Sequence, residues 1–458
     1  MKTDGAVDSP ISGGATGGKV PKTRANVPGP GGPRWLQSAH FLLRPTSFLE
    51  RNQRKYGDFF TAQLAGLGRG RMIVVSDPAT IEEVFKSDPY ALQAGRAAAT
   101  TITPIGGSNS LLVLDAPKHL EDRRLMLPPF HGERMRTYES VMVEETRRSV
   151  TDWPHGKPFE LREKMADITL DVILRAVFGM ERSEAYDDLR AALLAMVQND
   201  SAVSLGLMVP GLRRDIGPWR KWSAFERAIE HGDTLIFAEI ARRRESDEES
   251  GRVDILSMLM DAEREDGSKM TDQELRDELI TLLLAGHETT ATGLAWTFEL
   301  LFRHPEVMEK LRASIWEGDE DYLEAVIYES LRLRTVIPFV ARVVSEPTTI
   351  GGYRLERGDT VVPAVHLVHR RADIYPDPDS FRPERFLNVK PGTYEWIPFG
   401  GGMRRCVGAS FAIFEMKVLI REIMTYTDLA PASSRPERVR RRAFTLVPNH
   451  GTMAIQRD

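Results

Sequence analysis

Thiols are almost absent from this chain: cysteine occurs once in 458 residues, as Cys406. One thiol cannot form an intramolecular disulfide, so the fold does not rest on oxidative stapling, and the composition fits a reducing, cytoplasmic setting. Nor can one thiolate build a cysteine-rich zinc or iron–sulfur centre. Long apolar runs are missing as well. The longest, around Ala202–Pro210 and Leu279–Ala285, fall well short of the about eighteen residues that a spanning helix needs, so no membrane span is expected. An excess of positive charge is lacking too. The 61 Lys and Arg against 66 Asp and Glu give −5, which supplies no global reason to bind nucleic acid. The sequence shows no internal repeat and no linker that would separate independent domains.

The length is enough to bury a substantial core, and 41% hydrophobic with 28% charged residues describes an ordinary soluble protein. Residues 1–30, rich in Gly, Pro and small polar residues, lack the apolar centre of a signal peptide or anchor. They are expected to form a flexible leader whose Pro-rich end enters a domain spanning 31–458. A helix is expected over "SFLERNQRKY", with strands around Phe59–Leu64 and Met72–Val75, and a further helix opened by Ser76, Asp77 and Pro78. Helical periodicity dominates residues 117–335, interrupted at Pro128–Pro129, Trp153–Pro158 and Pro210–Gly211. Strand-like pieces return at Ile337–Val344, Thr348–Ile350 and Thr360–Ala364, before a final long helix past Cys406. The expected fold class is mainly α with small peripheral β-sheets.

The single cysteine stands in "FGGGMRRCVG", residues 399–408. A lone cysteine is most often a small buried hydrophobe, but this one precedes an amphipathic helical pattern whose first turn would leave N–H groups near the sulfur. Such donors and a positive helix end favour a thiolate. Gly400, Gly401, Gly402 and Gly408 would let the backbone turn tightly and admit something flat beside it. One thiolate suffices as an axial ligand of haem. No Gly-Lys-Ser/Thr follows the glycines, so they are not a phosphate loop, and no βαβ pattern surrounds them, so they are not a dinucleotide fingerprint.

"FGGGMRRCVGASFA" resembles the cysteine-ligand loop of the haem-thiolate monooxygenases, the cytochrome P-450 family, with Phe399, Gly400, Gly402, Arg404, Cys406, Gly408 and Ala412 at the positions of that pattern. The resemblance implies a single large triangular domain holding haem b (iron protoporphyrin IX), with Cys406 as proximal iron ligand. It also implies Phe399 packed beside the sulfur and Arg404 on a haem propionate. It extends from about residue 30 to the C-terminus and is similar to the soluble bacterial members.

Other segments carry the same resemblance. In "LLLAGHETTA", polar groups midway along a core helix cost free energy unless paired or used. A HExxH metalloprotease site is excluded because Ala291 stands where the second histidine belongs. The stretch resembles the family's distal helix, in which Gly286 and its small neighbours make room for dioxygen while Glu288 and Thr289 form the acid–alcohol pair that delivers protons. The plainer alternative is a threonine bonded to its own helix carbonyl. His287 points elsewhere by helical geometry and is not an expected iron ligand. "EAVIYESLRLR" places Glu329 and Arg332 on one helical face. Taken alone they are a surface ion pair. By resemblance they are a buried structural triad with Arg385 of "FRPERF", removal of which releases haem. "DAPKHLEDRR" offers His119 and Arg123, and "PFVARVV" offers Arg342; with Arg404 these are the expected propionate contacts.

The resemblance further implies a pocket roofed by residues 96–112 and 196–212. Leu112, Leu284, Ala285, Ile337, Phe339, Phe444 and Leu446 are the expected lining, although plain core packing accounts for any one of them equally well. A hydrophobic substrate follows: a terpenoid, steroid, fatty acid or macrolide. Without an appended flavin or ferredoxin domain, electrons for O2 reduction are expected from a ferredoxin and an NAD(P)H-dependent reductase. Arg124, Arg134, Arg136, Arg405 and Lys417 are candidates for the basic face that such a carrier meets, or for a merely solvated surface. The expected reaction is hydroxylation or epoxidation. A peroxygenase or rearrangement enzyme on the same fold, and a non-catalytic haem sensor, are the alternatives.

Overall fold

Thr271 and Glu274 open the longest element of the structure, a computed structural model that describes residues 22–23, 27–65, 70–130, 132, 134–197, 201–215, 221–245 and 254–457. The Thr271 hydroxyl accepts from the Glu274 N–H at 3.2 Å while the Glu274 carboxylate accepts from the Thr271 N–H at 2.9 Å. This reciprocal cap satisfies donors that the helix itself cannot pair. The helix then runs over Asp272–Arg303, about 48 Å at the usual rise. Both faces are buried along most of its length, because it passes through the middle of the largest hydrophobic core.

Around it pack the helices Leu161–Phe178, Glu320–Leu333 and Ala409–Tyr426, the last following directly on the cysteine loop. At Gly293 the neighbours are close but not crowding: a Cβ there would meet Met416 at 3.4 Å and Leu331 at 3.5 Å, ordinary contact distances. The sheets lie outside this bundle. The largest has five strands in the order Phe59–Ala62, Met72–Val75, Thr360–Pro363, Arg342–Val344, Leu92–Gln93, and two smaller apolar clusters fill its faces. Two three-stranded sheets and one two-stranded sheet complete the described β-structure. The fold class is therefore mainly helical with small peripheral sheets, as the periodicity indicates.

Asp77 caps the Pro78–Lys86 helix by accepting from the Thr80 N–H at 2.9 Å, as the Ser-Asp-Pro signal predicts. Three expectations shift. The strand expected from Ile337 starts at Arg342, since Pro338 has no N–H to give a ladder. A helix at Arg34–Leu43, unmarked by any polar cap, precedes the expected one, which occupies Pro45–Tyr56. The leader boundary at 30 falls inside the fold. Lys22–Thr23 pair with Tyr353–Arg354, Val27 is buried, and the Pro28 carbonyl accepts from the Thr61 N–H. The rest of the expected leader lies outside the described residues.

The glycine run has a specific packing role. Gly402 has φ +64°, and a Cβ on it would fall 2.2 Å from the Phe85 carbonyl oxygen; one on Gly401 would strike the Phe85 ring at 2.3 Å. These two glycines seat the cysteine loop against the Pro78–Lys86 helix, whereas a Cβ at Gly408 meets nothing within 4 Å. Gly402→Ala is expected to destabilise the fold by roughly 1–3 kcal/mol, and Gly211→Ala, at a residue with open space around it, by less than about 0.5 kcal/mol. Thermal unfolding of the two variants side by side checks this; equal midpoints would remove the packing argument.

Candidate functional site

The cysteine loop closes on itself through backbone bonds. The Gly400 N–H donates to Ile397, the Arg405 N–H to Gly402, and the Cys406 N–H to the Phe399 carbonyl at 3.0 Å. Phe399 and Cys406 are thereby joined at the base of one turn, with the thiol at the head of the Ala409–Tyr426 helix. The residue retains accessible surface, yet burial pushes the thiol up, against the pull of the Gly408 N–H and the charges of Arg123 and Arg405. The expected helix-terminal N–H effect thus has the expected sign but loses to burial. A thiolate here needs a directly bonded cation.

The chemistry of the surrounding side chains fits such a group. His119, Arg123, Arg342 and Arg404, drawn from three parts of the chain, converge within electrostatic reach of one another. Burial, then the charges of Arg404, Arg123 and Arg342, push His119 down to about 3. Burial and the Arg404 charge bring Arg342 to about 10, opposed by Asp115. Burial likewise brings Arg404 to about 10, with Asp115 opposing and Arg123 assisting. Asp115 opposes the charges of Arg342 and Arg404 only, while Arg123 and Arg405 act on the Cys406 thiol, so cations outnumber carboxylates beside the sulfur. An anionic group attached to a thiolate-bound metal fits both features, and the propionates of haem supply such anions.

Arg404 is also engaged by protein. It donates to the carbonyls of Leu111 (3.1 Å) and Leu114 and to the Asp115 carboxylate (2.6 Å). Asp115 in turn accepts from the N–H groups of Gly95 and Arg96 at 2.8 and 2.9 Å, capping the Ala94–Gly106 helix. The sequence reading missed Asp115. Its basic partner is 289 positions away, and nothing local marks the pairing.

On the central helix, Ala285 is exposed and Gly286, Glu288 and Thr289 are half-buried. The Thr289 hydroxyl donates to the Ala285 carbonyl at 2.5 Å, the helical back-bond that was the plainer alternative. Its hydrogen is committed, and its oxygen keeps acceptor capacity. Glu288 lies 3.6 Å from both Arg162 and Arg442, neither foreseen from sequence, and its Oε1 is buried without a hydrogen bond. Successive helical residues diverge by about 100°, so Glu288 and Thr289 face different ways. A Cβ on Gly286 would approach Ile173 to 3.2 Å, so the missing side chain serves helix packing on that side. Buried His287 sits 3.2 Å from the Thr169 hydroxyl, and burial, then the charges of Arg442, Arg162 and Arg190, hold it down near 4. It faces Thr169 on the Leu161–Phe178 helix.

Glu329 and Arg332 are wholly buried and bidentate, at 2.6 and 2.8 Å, and Arg385 reaches Glu329 at 3.2 Å. Arg332 also donates to the carbonyls of His369, Pro378 and Ser380, and Glu329 accepts from the Arg382 N–H. Every charge is thus spent on pinning residues 369–385 to the Glu320–Leu333 helix. This is a buried network, not the surface pair that the spacing alone allows.

Of the expected pocket residues, Leu112 and Phe444 are exposed, and Leu284, Ile337 and Phe339 are half-buried. Phe339 packs against Phe41 at 5.3 Å between ring centroids. Leu446 is 4% exposed, its carbonyl accepts from the Trp296 indole and its N–H donates to the Val336 carbonyl. Part of the 196–212 hairpin, residues 198–200, lies outside the described residues. The basic face is thinner than expected, because Arg124 pairs with Glu265 and Lys417 with Glu320 and Glu324. Arg134 donates to the Met258 sulfur, and Arg136 and Arg405 are exposed.

A mainly helical fold with one cysteine loop seated under a long core helix defines the architecture of haem-thiolate proteins. The sequence model for cytochrome P-450 matches residues 28–454. The chain is 41% identical over 432 residues to cytochrome P-450 135B1 of Mycobacterium tuberculosis and Mycobacterium bovis, covering 92% of this chain and 90% of the relative. It is 37% identical over 440 residues to cytochrome P-450 137 of Mycobacterium tuberculosis, covering 94% and 91%. Among solved structures it superimposes on the haem domain of cytochrome P450DA with TM-score 0.81 at 25% identity, over 94% of this chain and 97% of that one. Retinoic acid-bound cyanobacterial CYP120A1 gives TM-score 0.80 at 22% identity, covering 95% and 99%. The chain belongs to the cytochrome P-450 family. Membership makes it a haem-dependent oxidoreductase of the monooxygenase superfamily. None of its described helices is long and apolar enough to cross a membrane.

Removing one side of a buried ion pair leaves the other uncompensated. Glu329→Ala is therefore expected to cost roughly 3–5 kcal/mol, read as a large fall in thermal midpoint together with lost haem retention on gel filtration. A Glu329→Ala protein with parental midpoint and full haem would contradict the network's role.

Proposed function

We propose that this protein is a monooxygenase that places one atom of O2 into a hydrophobic substrate by hydroxylation or epoxidation and reduces the other to water. The observation that carries the reading is the gathering of His119, Arg123, Arg342 and Arg404 around the Cys406 loop with Asp115 as the carboxylate that opposes two of them. In a hydroxylation, R–H, O2, two electrons and two protons give R–OH and H2O, with the electrons supplied by NAD(P)H through a reductase and a ferredoxin. When bound, haem b would supply a thiolate-ligated iron and with it the redox chemistry for activating O2.

The chain's own residues do the rest. Cys406 would supply the sulfur that binds the iron, and Phe399, bonded through its carbonyl to the Cys406 N–H, would shield it. His119, Arg123, Arg342 and Arg404 would hold the propionates, Arg404 also donating to the 111–115 loop. Glu329, Arg332 and Arg385 keep the proximal segment in place. Ala285 and Gly286 leave room on the distal side. The Thr289 oxygen, its own hydrogen turned to Ala285, accepts a hydrogen bond and orders a water there. Glu288, part-exposed between two arginines, links that water to solvent as the proton source. Leu112, Leu284, Ile337, Phe339 and Phe444 offer no charge to a substrate, which suits a terpenoid, steroid, fatty acid or macrolide skeleton.

The bond from Thr289 to its own helix favours one rival on the same fold, a peroxygenase that needs no hydroxyl donor. Thr289→Ala decides between them. With a ferredoxin system and NAD(P)H, the variant is expected to consume reductant while product per electron falls roughly tenfold or more and peroxide rises. Unchanged, fully coupled turnover, or parental turnover from peroxide alone, would overturn the monooxygenase reading.

A further inference from the structure

The first helix is apolar on the wrong side. Gln37 and Phe41 form its buried face, and Phe41 touches Phe339 of the expected pocket wall. A surface helix then turns polar residues outward. Here helical spacing gathers Trp35, Leu36, Leu42 and Leu43 into an arc of roughly 120° on the opposite side, where they are 67%, 54%, 38% and 79% exposed. Tryptophan and leucine at this exposure lose free energy in water unless something covers them.

What borders the stripe is cationic. Residues 34–56 carry Arg34, Arg44, Arg51, Arg54 and Lys55 against one carboxylate, Glu50, and Glu50 is turned to His366 at 2.7 Å. Setting aside Arg34, which donates to Gln63, that leaves Arg44, Arg51, Arg54 and Lys55 as a basic cluster on a chain that is acidic overall. Arg51 and Lys55, four apart on the Pro45–Tyr56 helix, make no ion pair among the described residues. With His40 and Leu36 they line an open groove of about 420 Å³ between the two helices. The apolar stripe and the basic groove thus meet at Leu36.

We propose that this face docks on an anionic lipid surface, with Trp35, Leu36, Leu42 and Leu43 entering the headgroup–acyl boundary and Arg51 and Lys55 meeting lipid phosphates in the groove. An apolar stripe flanked by cations is what a helix lying in the interface plane presents, and each near-surface cation adds attraction to anionic lipid. Charge argues against two other occupants. The N-terminal residues 1–26 carry Lys2, Lys19, Lys22 and Arg24 against Asp4 and Asp8, so they repel the basic rim. A two-fold contact between copies would set that rim against itself. Docking would bring a lipid phase within one helix of Phe339, and so next to the pocket that takes apolar substrates. The inference stands on surface chemistry alone and does not depend on which reaction the haem performs.

The test is flotation of the full-length haem-loaded protein with vesicles of phosphatidylcholine alone and of equal parts phosphatidylcholine and phosphatidylglycerol. Binding to the anionic vesicles only is expected, weakening as salt rises. A Trp35→Ser, Leu43→Ser double variant should bind on the order of tenfold or more weakly, and an Arg51→Gln, Lys55→Gln double variant on the order of tenfold more weakly. Both should keep parental haem content and thermal midpoint. Trp316→Ser, at the most exposed tryptophan in the described structure, should bind as the parent does. Absence of vesicle binding by the parent, equal loss in Trp316→Ser, or retained binding in both double variants would overturn the proposal. So would dimerisation that the Trp35→Ser, Leu43→Ser protein abolishes while vesicle binding is absent.

Discussion

Arg123, Arg342 and Arg404 outnumber the one carboxylate among them, Asp115, which opposes the charges of Arg342 and Arg404 and bonds Arg404. Burial pushes the Cys406 thiol up in the same region, so a cluster short of anions and a desolvated sulfur lie together. One group resolves both at once if it carries two anionic arms and a metal that binds sulfur. Haem meets that description. The function of the chain follows from this mismatch more directly than from any single side chain.

The rest of the architecture keeps the mismatch in place. Arg404 ties the cysteine loop to residues 111–115, and Asp115 ties the same residues to the helix that begins at Ala94. From the other side Asp277 of the central helix accepts from the Asn109 N–H and side chain, and Thr281 bonds Ser110. Residues 109–115 are thus held between the cysteine loop and the central helix. Beneath, the Glu329–Arg332 pair fixes the segment that leads into the loop.

Much of this was legible in the sequence, for stated reasons. Cysteine in a glycine loop ahead of an amphipathic helix, Glu and Arg three apart, and a cluster of small and polar residues inside an apolar helix are local patterns. Local patterns survive in one dimension. Asp115, Arg162 and Arg442 were not legible, because each acquires its meaning from a partner on another element. Thr289 shows a further limit: its position was readable but the direction of its hydroxyl was not, since a helix offers its own carbonyl as acceptor. The first helix escaped notice because Pro33 precedes it with no capping side chain and its apolar residues occupy two faces.

The central claim is that the sulfur at 406 binds porphyrin iron. The most direct measurement is the absorption spectrum of the purified protein after reduction and exposure to carbon monoxide, taken beside that of Cys406→Ser. The account predicts the strongly red-shifted thiolate-type band in the parent and its loss in the variant. A histidine-type band in the parent, or identical spectra in the two proteins, would contradict it.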